Sequence, residues 1–266
     1  MSNHLQRGIA VAIGIGIAAL GLAVAKQSRA EPEKASLKPM RIGVIGAGAL
    51  GGTVGRVLVE AGHEVKFSSR HPEELAAMVR ALGPRASVGM PREAAEFGTV
   101  LLFAVPYEAL PELGRDLKDE IGGKVVLDAC NASSRTDSAL AREVQGDGTG
   151  LTSAKLLPNT RLVRAFSAVD ATQVEASFKH EREKLGVPLA RDDAEAMQIA
   201  AQLVRDAGCE PVIVGNLAAC KSFDRRSRLA REHDCAKSAS SARTVSISQE
   251  RTNRSPGMPY VSQVSG

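Results

Sequence analysis

At 266 residues, with 34 Lys and Arg against 30 Asp and Glu, the chain is long enough for one large domain or two small ones, and its charge is nearly balanced. No long basic stripe with interleaved aromatics is present, which argues against a nucleic-acid partner. Cys130, Cys209, Cys220 and Cys235 show no CxxC spacing, so neither a disulfide framework nor a zinc motif follows; the first two read as buried thiols.

The chain divides into residues 1–39 as a leader and linker, 40–227 as a nucleotide-binding domain, and 228–266 as a Ser- and Arg-rich tail. Gly8 to Ala25 is an uncharged run of Gly, Ala, Ile, Val and Leu. Its length sits between a signal-peptide core and a membrane span. Only Arg7 precedes it, whereas Lys26, Arg29, Lys34 and Lys38 follow, so the positive-inside rule keeps the C-terminal flank cytoplasmic. Three readings stay open: an anchor holding the domain to the cytoplasmic face, a cleaved signal and export, or a cytoplasmic protein that starts at Met40.

Met40 to Arg70, MRIGVIGAGALGGTVGRVLVEAGHEVKFSSR, reads as strand, glycine turn, helix, strand. Ile42, Val44 and Ile45 form a short apolar run, as expected of a parallel strand buried on both faces. Gly46, Gly48 and Gly51 follow in GxGxxG spacing: a tight turn, a close approach of pyrophosphate to backbone, and a close helix–strand contact. Val54, Val57, Leu58 and Ala61 fall at helical spacing, and Gly62 ends the helix. A phosphate at Gly46, Ala47, Gly48, Ala49, Leu50 and Gly51 would meet the unpaired N–H groups of the helix start. The second strand ends in Ser68, Ser69 and Arg70, with no Asp or Glu for a ribose 2′-hydroxyl. Hydroxyls and a guanidinium suit a 2′-phosphate, so the expected cofactor is NADP rather than NAD.

Further along, Pro72 opens a helix to about Leu82, Ala86–Val88 is a short strand, and Pro91–Phe97 a short helix. Thr99–Val105 is a buried strand ended by Pro106. Leu110, Leu113, Leu117 and Ile121 continue a helical pattern, and Lys124–Asp128 is another strand. Ala104, Val105, Pro106, Tyr107 and the Ala129–Asn131 loop then fall on the same sheet edge as the glycine turn. Leu162–Phe166 and Val187–Ala190 read as strands. Asp192-Asp193 caps a helix to about Ala207, and Pro211–Val214 is the last strand. The fold class is α/β: a doubly wound, mostly parallel Rossmann sheet in a single domain with a C-terminal sheet extension.

The segments IGVIGAGALGGTVG, HEVKFSSRHPEEL, FAVPYEALPEL, KVVLDACN, LVRAFSAV and VPLARDDAEAMQIAAQLVRDAGCEPVIVGNL resemble the NADP oxidoreductases that use the deazaflavin coenzyme F-420. Related nucleotide domains occur in six-transmembrane ferric reductases. The resemblance covers Met40 to about Ser227. It implies hydride transfer between the nicotinamide C4 of NADP(H) and a small-molecule flavin- or deazaflavin-like acceptor. By position, Ala47 to Leu50 would hold the pyrophosphate and Ser69 with Arg70 the 2′-phosphate. Val105 and its neighbours would line the adenine and ribose path, and loop 129–131 with Ala165–Ser167 would approach the nicotinamide. The chain departs from the family at Ser167, where Asn is usual, and after Asp224, where an ordered closing segment is replaced by a tail of disordered composition or a shifted frame. A homodimer stays open.

Transfer to a carbonyl or imine would need a protonating group. His63 reads as structural, His71 lies by the adenine end, His180 sits in a charged segment, and nothing in the sequence selects Lys155 or Tyr107 as the acid. Transfer to a ring acceptor needs mainly the positioning of two rings. The readings carried forward are an NADP-dependent oxidoreductase with a ring acceptor; a membrane-tethered NADP-binding module or degraded paralogue without turnover; and a carbonyl or imine reductase.

Overall fold

In the computed structural model, residues 38–132 and 139–222 are described. The apolar run after Met40 becomes β1 (Arg41–Ile45), four of whose five residues are buried. The glycine turn leads into α1 (Ala49–Glu60). Gly62 has φ +106° and turns the chain into β2 (Glu64–Ser68). A 3-10 turn at Pro72–Leu75 precedes α2 (Ala76–Leu82). Then come β3 (Ala86–Gly89), α3 (Pro91–Phe97) and β4 (Val100–Phe103). After a second 3-10 turn at Tyr107–Ala109 follow α4 (Leu110–Asp116), α5 (Lys118–Ile121) and β5 (Val125–Asp128).

The second half contains α6 (Ala139–Asp147), α7 (Thr149–Leu156), β6 (Arg161–Arg164) and α8 (Ala171–Phe178). It ends with β7 (Gly186–Arg191), α9 (Ala194–Asp206), β8 (Glu210–Gly215) and a 3-10 turn at Leu217–Ser222. One eight-stranded sheet runs β3-β2-β1-β4-β5-β6-β7-β8. Every neighbouring pair is parallel except β6 with β7. This is the doubly wound Rossmann arrangement, with the later strands extending the same sheet. The strand order reverses between β1 and β4, which opens a crevice at their carboxyl ends.

The two faces of the sheet bury different sets of side chains, as the period of two requires. Val44, Leu102, Leu127 and Val163 pack with Val54, Val57 and Leu58 of α1 and Ala200, Leu203 and Val204 of α9. Ile45, Leu101, Phe103 and Val126 face the other way, against Ala94 and Ala95 of α3, Leu110 of α4 and Ile121 of α5. Each fully buried Val, Leu, Ile or Phe contributes about 1.5–3 kcal/mol over an exposed one.

Several expected boundaries move. The leucine series from Leu110 to Ile121 predicts one helix, but it breaks at Leu117, whose φ of −107° and ψ of 12° leave the helical region. The strand expected over Thr99–Val105 contracts to Val100–Phe103, which frees Ala104 and Val105 to line the crevice. The leader with most of its linker, the six residues after Ala132, and the tail lie outside the described residues. No described helix is long and apolar enough to cross a membrane.

Candidate functional site: a dinucleotide crevice

The three glycines of the turn separate into three geometries. Gly46 has φ +95°, and a Cβ there would lie 2.6 Å from Val105 Cγ1 and 2.7 Å from the Ala104 carbonyl oxygen. A Cβ on Gly51 would collide with the Gly46 carbonyl. Gly48 is different: a Cβ would meet nothing within 4 Å, and the residue is exposed. Its glycine therefore leaves space on the ligand side rather than inside the protein. Gly48 is also the N-cap of α1, with no side-chain cap and no acid in the first turn. The first intrahelical bond runs from Gly52 N–H to the Gly48 carbonyl, 2.7 Å. The N–H groups of Gly48, Ala49, Leu50 and Gly51 thus lie before the helical ladder, at the positive end of the macrodipole. These features fit a pyrophosphate. Ala47 is held by its own N–H, which bonds the Ser68 carbonyl at 3.0 Å.

At the end of β2 the expected trio splits. Ser68 is fully buried, and its Oγ donates to the Val44 carbonyl at 2.7 Å. The reading of Ser68 as a 2′-phosphate donor is corrected: its hydroxyl joins β1 to β2 inside the sheet. Ser69 is partly exposed, and its Oγ accepts from His71 N–H at 3.1 Å. Arg70 is exposed. No acidic residue stands at this strand end; His71 pairs with Glu73 at 3.4 Å.

Ala104 and Val105 are partly exposed at the end of β4 and Pro106 is exposed; the first two contact the glycine turn. Asn131 sits beyond β5, where its Nδ2 donates to the Ser167 carbonyl at 2.6 Å. Its Oδ1 accepts from Arg164 Nη2 at 3.3 Å. Arg164 also pairs with Asp128 at 2.7 Å, both fully buried. The carboxyl ends of β1, β2, β4, β5 and β6 thus bring the expected cofactor residues to one edge, with Ser68 turned away from it.

Comparison with known proteins shows what this segment resembles. Residues 41–132 match the family NADP oxidoreductase, coenzyme F420-dependent. That segment holds the glycine turn, the Ser69–Arg70 strand end and the loop after β5. NADP is the cofactor this match supports, and the match is to oxidoreductases that use NAD(P). The chain is 26% identical over 184 residues to the metalloreductase STEAP3 of Rattus norvegicus, which covers 69% of this chain and 36% of that protein. The chain therefore spans about a third of the length of this curated relative.

Among solved structures, the hypothetical protein SMa0349 from Sinorhizobium meliloti aligns with TM-score 0.62 at 25% identity, over 72% of this chain and 92% of that one. A protein from Arthrobacter described as an F420-dependent NADP-reductase aligns with TM-score 0.57 at 21% identity, over 68% and 87%. Imine reductases share the fold alone.

Among the described residues, the candidate proton-moving groups Tyr107, Lys155 and His63 are held in other contacts. Tyr107 is buried, and its OH donates to the Thr149 carbonyl and pairs with Ser153 Oγ, each at 3.1 Å. Burial pushes its pKa far up, out of the range of a working acid–base group. Lys155 is exposed on α7 and bonds Asp147 at 2.7 Å and Glu143 at 3.0 Å. His63 is buried in the turn before β2 and bonds Asp206; His180 is exposed beyond α8. Burial and the nearby Asp128 carboxylate push the Cys130 thiol well up, so it is no thiolate nucleophile.

One buried residue of this edge is not singled out by the sequence: Arg164. Its pairing with Asp128 across neighbouring strand ends appears only once β5 and β6 are set side by side.

Proposed function

We propose that the protein is an NADPH-preferring oxidoreductase that passes hydride between NADP(H) and a flat ring acceptor of flavin or deazaflavin type. When bound, the cofactor supplies the hydride at nicotinamide C4. The chain's own residues bind and orient it. The α1 N-terminus takes the pyrophosphate, Ser69 and Arg70 take the 2′-phosphate, and Ala104 to Pro106 line the path between β1 and β4. Asn131 and the turn after β6 border the far half of the crevice.

The observation that carries the choice of acceptor is the contrast between a built dinucleotide cradle and the engagement of Tyr107, Lys155, His63 and Cys130 in structural contacts. A carbonyl or imine acceptor needs a proton delivered as hydride arrives. A ring acceptor needs chiefly the alignment of two rings. NADPH oxidation by the full chain, measured with a deazaflavin, a flavin, a ketone and a cyclic imine, tests this reading. Turnover is expected with a ring acceptor and a shallow pH dependence. Turnover confined to the ketone or imine, with a rate that titrates, would establish the reductase alternative. Tight NADPH binding without oxidation by any acceptor would establish a binding module without turnover.

The leader is proposed as an anchor that keeps the domain on the cytoplasmic face, on the strength of its flanking charges. Protection of the domain from protease in inverted vesicles would refute that placement.

A further inference from the structure

The edge formed by β5 and β6 carries an ion pair that neither the phosphate cradle nor the sheet requires. Asp128 ends β5 and Arg164 ends β6, side by side in the register and fully buried. A buried pair of this kind is rarely more stabilising than apolar residues of the same volume. Its other bonds indicate its role. Arg164 Nη1 donates to Asp128 Oδ2 at 2.7 Å and to the Cys130 carbonyl at 2.6 Å, and Nη2 reaches Asn131 Oδ1. Asp128 Oδ1 accepts from Cys130 N–H at 2.9 Å. Asn131 Nδ2 closes the ring onto the Ser167 carbonyl. One guanidinium thus ties the loop after β5 to the turn after β6.

That turn is itself constrained. Phe166 is buried with φ +60°, a left-handed conformation that a bulky residue keeps only when its surroundings enforce it. Next to it, Ser167 is 2% exposed and its Oγ has no hydrogen-bond partner among the described residues. A buried hydroxyl left unbonded costs about 1–3 kcal/mol, so a polar ligand group is the natural partner.

We propose that Arg164 is a positioning residue: it fixes loop 129–131 and the Phe166–Ser167 turn so that the Ser167 hydroxyl meets the nicotinamide half of bound NADP(H). This rests on the cofactor reading given above. With the 2′-phosphate at Arg70 beside β2 and the pyrophosphate at Gly48, a dinucleotide laid across the switch point continues past β4 toward β5 and β6. Its carboxamide both donates and accepts hydrogen bonds, and a serine hydroxyl can answer either.

The test is a binding titration of the full chain, its Arg164→Lys variant and its Asn131→Ala variant. The ligands are NADP+ and adenosine 2′,5′-bisphosphate, which keeps the adenine and 2′-phosphate and lacks the nicotinamide. The wild-type chain is expected to bind both. Each variant should lose about tenfold in affinity for NADP+, the worth of one good hydrogen bond, and keep its affinity for the bisphosphate. Equal losses on both ligands would mean general damage and overturn the proposal, as would unchanged NADP+ affinity in both variants. Failure of the wild-type chain to bind either ligand would sink the cofactor reading itself, a result distinct from both. Asn131→Ala leaves the buried ion pair intact, so it carries the test if Arg164→Lys does not fold.

Discussion

His63 Nε2 lies 3.1 Å from Asp206 Oδ2, joining two buried side chains that are 143 residues apart in the chain. The other ring nitrogen, Nδ1, accepts from the Met40 N–H at 3.1 Å, so Nε2 carries the hydrogen and donates to the carboxylate. One imidazole thereby pins the start of β1 and the turn before β2 to the end of α9. All three lie at the amino-terminal edge of the sheet, away from the dinucleotide crevice. His63→Ala should lower stability by roughly 2–4 kcal/mol, because it leaves a buried carboxylate with fewer partners and opens a cavity. Urea denaturation reads the loss, and NADP+ affinity of the folded variant should be unchanged.

The glycine turn allows a sharper separation of fold from ligand binding. Gly46→Ala should destabilise by about 2 kcal/mol or more, since it forces a side chain into positive φ and against Val105 and Ala104. Gly48→Ala should cost about 1 kcal/mol or less, as an N-cap change with open space around it. It should still weaken NADP+ at least about tenfold, because the methyl stands where the pyrophosphate must approach. Thermal melts with and without NADP+ distinguish the two. A Gly48→Ala protein with native affinity would contradict the assignment of the cradle.

Ser68 and Arg70 are two residues apart and should behave oppositely. Arg70→Ala is expected to weaken NADPH by about tenfold or more while leaving NADH nearly unchanged, since only the 2′-phosphate distinguishes the two. Salt should narrow the NADPH–NADH gap, because the guanidinium is exposed. Ser68→Ala should lower stability by about 1 kcal/mol through loss of the bond to Val44, with the NADPH–NADH ratio intact. Equal losses of both nucleotides in Arg70→Ala would refute its role.

Asp193 links the start of α9 to β6. Its carboxylate accepts from Arg161 Nε at 2.7 Å and Nη2 at 3.0 Å, and it caps the helix through Ala196 N–H at 2.9 Å. The Arg161 bonds first, and the cap second, hold its pKa far below the usual carboxylate range. In the unfolded chain it titrates near about 4. Between these limits the unfolded state binds the extra proton, so the stabilisation is complete above that pH and is lost as pH falls below it. Asp193→Asn keeps an N-cap acceptor but removes the charge. Its melting temperature should therefore fall less steeply than the wild type's as pH drops from about 5 to about 2. The contribution is modest and salt-sensitive, because the pair is largely solvated.

Much of the first half of the fold was legible in the residues themselves. The GxGxxG turn has strand and helix on the correct sides, and Pro91 marks the start of α3. Helices α6, α7 and α8 were not read, since TGLTSAKL and ATQVEASF bury small and polar residues such as Thr152, Ser153 and Ser177 and carry no leucine stripe. Ser68 was misread for a related reason. In a sheet covered on both faces, alternation no longer separates inside from outside, and only the Val44 carbonyl reveals where its hydroxyl points. The Arg164 network depends on two charges 36 residues apart meeting across adjacent strands, which no local pattern encodes.

The far side of the sheet ends differently from the side that holds the glycine turn. Strand β8 pairs with β7 alone among the described residues, and it leaves Val212, Ile213 and Val214 exposed. Among the described residues its outer edge carries this apolar run without lysine, the kind of border that recruits neighbouring strands. The solubility of any expressed fragment ending near Ser222 would then be governed by six residues remote from the chemistry. One charged side chain at Ile213 should do more for crystallisation or storage than any change around the crevice.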